Sequence, residues 1–187
     1  MNLRKTIGIL FLVITISSCL SKKNWEQAHI TYKDESKSSM NVYPGRNSYY
    51  NLIHAKKDIK AKKEFLLPED VKTVENEQYK YVSMYFDEEN FGMESYGFGK
   101  VMAGDEIMIV KTKFREKTCA CKTSGAYFKG HFLVYNNDIQ RIRTDKRSNI
   151  INNKEIQDFM DKYSDIDLPQ KISTVDDLIE YIKNINN

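Results

Sequence analysis

Hydrophobic and polar positions alternate along much of the chain, and this pattern predicts β-strands. A short strand is predicted at residues 28–32. The segment from Tyr79 to Phe86, which is rich in aromatic and β-branched residues, predicts another. Four further strands are predicted at residues 94–103, 106–115, 127–135 and 139–144. Because short turns separate these strands, we expect neighbouring strands to pair in an antiparallel meander.

Two other segments show a helical or an irregular pattern instead. Residues 34–47 are polar and contain Pro44-Gly45, which predicts a loop. Residues 48–63 have hydrophobic positions that would share one helical face, and Ser48 is suited to cap the N-terminus. We therefore expect an N-terminal amphipathic helix over residues 48–63.

The C-terminal part of the chain predicts two more helices, separated by Pro169. The first has hydrophobic residues at the i, i+3, i+4, i+7 spacing, and the second follows Ser173-Thr174-Val175-Asp176, which resembles a capping box. The hydrophobic positions are Ile156, Phe159, Met160 and Tyr163 in the first helix, and Val175, Leu178, Ile179, Ile182 and Ile185 in the second.

These elements predict one α+β domain over residues 25–187. We expect an antiparallel meander of about five to six strands, packed with an N-terminal helix and two C-terminal helices. No internal repeat and no second domain boundary is apparent in the sequence.

The first 18 residues have the three-part layout of a secretory signal. Arg4 and Lys5 precede an apolar run over residues 7–16, and small residues follow it. This run is about half of the roughly 20 apolar residues that a membrane-spanning helix needs. The sequence therefore predicts a signal peptide that is removed.

Ile16-Ser17-Ser18-Cys19 resembles the lipobox of bacterial lipoproteins. The resemblance covers residues 1–19 only. It implies that Cys19 receives a diacylglyceryl group, that cleavage occurs before Cys19, and that residues 19–24 form a lipidated cysteine and a short tether. Leu20, in place of aspartate, favours the outer membrane with the domain facing the periplasm, if the host has an outer membrane. We expect a lipid-anchored protein of the cell envelope.

The net charge narrows the range of partners. The chain has 29 Lys+Arg and 26 Asp+Glu, and removal of Arg4 and Lys5 leaves a formal charge of +1. Domains that bind nucleic acids are usually strongly basic, so we expect no nucleic-acid partner. Lysines are nevertheless clustered at residues 56–63 and basic residues at 141–147, where they form either a solvated surface or a contact with lipid headgroups or an acidic protein.

Cys119 and Cys121 are the only thiols besides Cys19, and export would place them in an oxidising compartment. Three interpretations remain open: a local disulfide, thiols that stay free or pair between chains, and a redox or metal function. The redox interpretation lacks a Cys-x-x-Cys motif. The metal interpretation, with His131, has three ligands, one fewer than a closed structural zinc site. We expect no metal ion and no cofactor.

Tyr79, Tyr81 and Tyr85 would share one face of a regular strand, and Tyr96 could extend this aromatic stripe along the sheet. The stripe is either cross-strand packing or a stacking surface for a glycan or peptide. No catalytic motif is recognisable, so the sequence favours a binding or structural role, for example an immunity-type protein or an assembly factor with an envelope partner. The alternative is a periplasmic enzyme or thiol-redox protein that uses Cys119 and Cys121.

Overall fold

The computed structural model describes residues 25–43, 52–91, 94–115, 127–144, 150–169 and 172–185. The predicted signal peptide, Cys19, Cys119 and Cys121 lie outside these residues. Within the described ranges, no helix has both the length and the apolar character needed to cross a membrane.

One antiparallel sheet of ten strands accounts for about half of the described residues, and it curls into a half-barrel. The sheet is built from two meanders, β1–β4 and β5–β10, which join where β5 pairs with β1. The strands are β1 (Glu26–Tyr32), β2 (Lys37–Tyr43), β3 (Ile53–Lys56), β4 (Glu64–Leu66), β5 (Val71–Asn76), β6 (Tyr79–Phe86), β7 (Ser95–Ala103), β8 (Met108–Arg115), β9 (Tyr127–Tyr135) and β10 (Asp138–Ile142).

The described helices are short and lie outside this sheet. They are α1 (Glu88–Phe91), α2 (Asn153–Tyr163) and α3 (Val175–Ile185). Thr174 caps α3: its Oγ1 accepts a hydrogen bond from the backbone N–H of Asp177 at 3.2 Å, and the Asp177 carboxylate accepts one from the Thr174 N–H at 2.9 Å. The capping box therefore begins at Thr174, one residue later than the predicted box, because Asp177 rather than Asp176 makes the reciprocal bond.

The register of the strands defines two faces of the sheet. Ile30 pairs with Val74, and an unbroken row of partners runs from Val74 across the sheet to Ile142. We call the face that carries this row the helix face, because buried residues of α2 and α3 pack there with Ile142. The opposite face carries the alternate residues of each strand.

Three clusters of buried side chains stabilise the fold. Two lie on the helix face, one under α2 and α3 and one in the β1–β5 half of the sheet. The third lies on the opposite face of β6–β10, where Phe91 of α1 packs against Phe86 and Phe132 at ring-centroid distances of 5.1 and 6.0 Å. In the β1–β4 half, the helix face is therefore apolar while the opposite face stays accessible.

The predicted fold class was wrong. The structure is mostly β, with ten strands rather than five or six and with no N-terminal helix in the described part of residues 48–63. Ile53 and Ala55 are buried at 3% and 0% exposure, and His54 and Lys56 point to the other face, so that β3 has the two-residue period of a strand.

The predicted loop over residues 34–47 was wrong at residues 37–43, which form β2. Residues 34–36 lie in the turn between β1 and β2, and residues 44–47 lie outside the described residues. Only Met40 and Val42 of β2 are buried, and its serines and Asn41 lie at partly or fully exposed positions. The predicted strands after residue 79 and both C-terminal helices are confirmed within a few residues of their bounds. Strands β4 and β5 were not predicted.

Candidate functional site

A cleft of about 940 Å³ is lined by residues of several strands and of the turns that connect them. Its lining combines two exposed tyrosines, Tyr85 and Tyr96, with lysines such as Lys33 and with the acidic pair Asp105 and Glu106. The cleft is open to solvent and offers aromatic surface together with hydrogen-bonding groups of both charges. Such a lining suits an extended ligand with polar groups, such as a peptide or a glycan.

Tyr85 and Tyr96 are the aromatic centre of this cleft. They are cross-strand partners in β6 and β7, their ring centroids are 4.9 Å apart, and they are 39% and 37% exposed. The Tyr85 hydroxyl donates a hydrogen bond to Glu94 Oε1 at 2.7 Å, and this bond to the carboxylate raises the pKa of Tyr85 to about 12. Lys33 Nζ lies 3.9 Å from the centroid of the Tyr96 ring. The pair is thus held in place by its neighbours while a large part of both rings faces solvent.

Tyr79 and Tyr81 occupy a different environment from Tyr85. Both are partly buried and pack against the core of the β1–β5 half, with their ring centroids 5.4 Å apart in an edge-to-face arrangement. Burial raises the pKa of Tyr79 well above its usual range. The three tyrosines of the predicted stacking face therefore divide into two partly buried residues and one exposed residue, and Tyr96 is the aromatic partner of the exposed one.

A row of aromatic rings crosses the opposite face of β1–β4. Trp25, which directly precedes β1, is followed across the sheet by Tyr43, His54 and Phe65, each on the next strand. Successive ring centroids are 6.0, 6.3 and 5.0 Å apart. We call these four residues the aromatic row. Phe65, at the end of the row, is 49% exposed on the edge strand β4.

Lysine ammonium groups lie against the two outer rings of the aromatic row. Lys56 Nζ is 4.9 Å from the centroid of Trp25, and Lys63 Nζ is 4.9 Å from the centroid of Phe65. A cation over an aromatic face is attracted by the negative potential of the ring. The aromatic row and the lysine-rich turn between β3 and β4 thus form one continuous surface.

His131 lies on the helix face in β9, opposite Lys111 of β8. Burial and the nearby Lys111 charge lower the pKa of His131, while Asp176 at the start of α3 acts in the other direction. No group of three or more His, Cys, Asp or Glu side chains in the described ranges is arranged to hold a metal ion. Cys119 and Cys121, which the metal interpretation requires, lie outside those ranges.

Sequence reasoning did not identify the aromatic row. Its members are far apart in the chain. Because a helix was predicted over residues 48–63, His54 was not assigned to any strand. The alternation of Ile53 and Ala55 with His54 and Lys56 was the available signal, and it indicates a strand with one apolar and one polar face.

Comparison with protein-family models, curated proteins and solved structures found no match for this chain. The functional conclusion therefore depends on the residues and their geometry alone.

Proposed function

We propose that this protein is a lipid-anchored binding protein of the cell envelope. The observation that carries the proposal is the apolar run over residues 7–16 followed by Ile16-Ser17-Ser18-Cys19, because this combination is typical of lipoprotein signal sequences. Two or three acyl chains on Cys19 would anchor the chain stably, since one chain alone binds a membrane only marginally. The domain that begins at Trp25 would stand next to the bilayer.

The cleft around Tyr85 and Tyr96 supports the binding role of this domain. Two adjacent, partly exposed rings offer stacking surface, and Lys33 and Glu94 offer charged groups beside them. Aromatic residues contribute large contact areas in interfaces and dominate their binding energy. We assign the cleft to a segment of an envelope partner, either peptide or glycan.

The anchor is tested by the intact mass of the protein purified from membranes. We expect a mass equal to residues 19–187 plus lipid, and an unprocessed chain without acyl label in a Cys19→Ala variant. Measuring the mass with and without reductant also reports the state of Cys119 and Cys121, because a disulfide lowers the mass by two hydrogens. A Cys19→Ala chain that still carries fatty acid would contradict the anchor.

The binding role is tested by cross-linking and capture from detergent-solubilised envelope. We expect one stoichiometric partner with the wild-type protein and none with Tyr85→Ala/Tyr96→Ala. The matched control is Tyr85→Phe/Tyr96→Phe, which keeps both rings and removes only the hydroxyls, so it should retain the partner. Repeated recovery of the protein alone, or equal capture by the double alanine variant, would contradict the assignment of the cleft.

A further inference from the structure

The β3–β4 hairpin concentrates the positive charge of the whole chain. Residues 52–66 contain five lysines, Asp58 and Glu64, which gives a net +3, equal to the formal net charge of all 187 residues. The remaining residues therefore carry no net charge. The exposed lysines of the hairpin are Lys57, Lys60, Lys62 and Lys63.

The hairpin turn has a defined structure that presents these lysines outward. Asp58 Oδ1 accepts a hydrogen bond from the backbone N–H of Lys60 at 2.7 Å, and the Asp58 carbonyl accepts one from Ala61 at 3.0 Å. Lys56 Nζ donates to the Ile59 carbonyl at 3.1 Å. The acidic side chain of the turn thus bonds to the backbone, and the four exposed lysines remain accessible to solvent.

Exposed apolar side chains accompany the lysines. Ile59 at the tip of the hairpin is 68% exposed, Phe65 is 49% exposed and Leu52 is 36% exposed. These three are among only seven large hydrophobic side chains that are exposed in the described residues. Next to them lies the aromatic row, with Trp25 and Phe65 at its ends. Tryptophan, tyrosine and lysine side by side are the composition found where proteins meet the headgroup layer of a bilayer.

The position of the lipid anchor indicates that this surface contacts a bilayer. Six residue steps separate Cys19 from Trp25, and an extended chain spans at most about 20 Å over that length. If Cys19 is lipidated, as in the function proposed above, the aromatic row cannot leave the vicinity of the headgroups. A surface so constrained, with a net +3 and exposed apolar side chains, is complementary to an anionic bilayer.

We propose that the aromatic row and the β3–β4 hairpin form a membrane-contact surface that holds the domain against anionic lipid headgroups in a fixed orientation. The lysines contact the phosphates, and Ile59, Phe65 and Trp25 enter the headgroup layer. Each lysine near an anionic surface favours the docked orientation about fivefold. The cleft around Tyr85 and Tyr96 belongs to other strands of the sheet and stays available to a partner.

Trp25 is the only tryptophan of the chain and reports directly on this contact. The full-length protein is reconstituted into vesicles of phosphatidylcholine with or without phosphatidylglycerol, and brominated lipids serve as quenchers of tryptophan emission. We expect stronger quenching and a blue shift of the emission when phosphatidylglycerol is present. Reversing two charges with Lys60→Glu/Lys62→Glu should lower the ratio of docked to undocked protein at least about 25-fold. The quenching should then be the same with and without phosphatidylglycerol.

The matched control is Lys154→Glu/Lys183→Glu, which makes the same charge change on α2 and α3 and should leave the quenching unchanged. A second variant, Ile59→Ser, tests the apolar contact and should reduce the quenching while the protein still floats with the vesicles. Neither Lys60, Lys62 nor Ile59 is buried, so these variants are expected to fold.

Quenching that is the same in both lipids and insensitive to Lys60→Glu/Lys62→Glu would overturn the proposal. If that variant instead loses a captured acidic protein, the surface belongs to a protein partner, which also overturns it. A chain whose mass shows no lipid contradicts only the anchor. In that case flotation itself is the test, because binding to phosphatidylglycerol vesicles but not to phosphatidylcholine vesicles would support the surface, and no binding to either would overturn it.

Discussion

Gly99 occupies a point in the sheet where the structure leaves no room for a side chain. It pairs with Val82 of β6, and a Cβ at this position would lie 2.1 Å from Val110 Cγ1 and 2.6 Å from Met84 Sδ. The methionine can move, because its side chain is long and unbranched. Val110 has little freedom, because it is β-branched and fully buried. Gly99→Ala therefore forces Val110 or strand β7 to shift.

The sign of the change in the free energy of unfolding distinguishes this steric clash from the backbone preference of alanine over glycine in a strand. In an unobstructed strand, replacing glycine by alanine would stabilise the protein by about 0.5–1 kcal/mol. Overpacking of a core costs about 1–3 kcal/mol. We expect Gly99→Ala to lower the free energy of unfolding by about 1–3 kcal/mol, which corresponds to a fall in Tm of about 3–10 °C for a domain of this size. Thermal unfolding followed by circular dichroism measures it.

A double-mutant cycle with Val110→Ala isolates the contact. Val110→Ala alone removes two buried carbons and should destabilise by about 2 kcal/mol. In Gly99→Ala/Val110→Ala the new methyl group enters the space that Val110 vacated, so the double variant should be at least about 1 kcal/mol more stable than the sum of the single effects predicts. A Gly99→Ala protein as stable as wild type, or strictly additive effects, would show that the packing argument is wrong.

Three further predictions concern turns and helix ends. Gly104 has φ +85°, and a Cβ there would lie 2.0 Å from the Ile107 carbonyl oxygen, so Gly104→Ala should lower the Tm even more than Gly99→Ala, because backbone atoms yield less than a side chain. Thr174→Ala removes the α3 cap and should cost about 1 kcal/mol in urea unfolding, with Thr174→Ser retaining most of the stability. Bonds from Lys162 and Tyr163 lower the pKa of Asp138, so Asp138→Asn should reduce the Tm at neutral pH, and its difference from wild type should shrink as the pH falls below about 4. A difference independent of pH would contradict the last prediction.

The part of the fold that was predicted correctly is the part where each segment carries its own signal. Strands β6–β10 hold apolar residues in alternation, and short turns join β7 to β8 and β9 to β10, so local pattern and tertiary position agree. Each C-terminal helix carries a full apolar stripe, which includes Ile156 in α2 and Leu178 in α3. Both helices lie where the spacing of these apolar residues predicted them. In these segments, burial follows from the period alone.

Strands β2–β4 of the first meander were missed because they bury few residues. β2 contributes Met40 and Val42 to the core, and β3 contributes Ile53 and Ala55, while their other positions are polar or aromatic. Two buried residues per strand are too few to establish an alternating pattern in the sequence. The choice between helix and strand is made by β1, which supplies the pairing edge for β2 and is itself held by β5. Such long-range pairing leaves no local signal in the sequence.

Because residues 53–56 form strand β3 and not part of a helix, the same residues support a different functional proposal. On a helix over residues 48–63, the lysines would be distributed around the helix surface. Trp25 would then have no defined neighbour among these residues. As a hairpin, the segment brings Lys56 within 4.9 Å of the Trp25 ring centroid and places Phe65 beside His54. Residues separated by about 30 to 40 positions in the chain thereby form one surface next to the predicted site of lipidation. The proposed membrane-contact surface therefore depends on strand pairing. A variant that disrupts the pairing of β2 with β3 should lose the membrane contact, even though it retains every lysine.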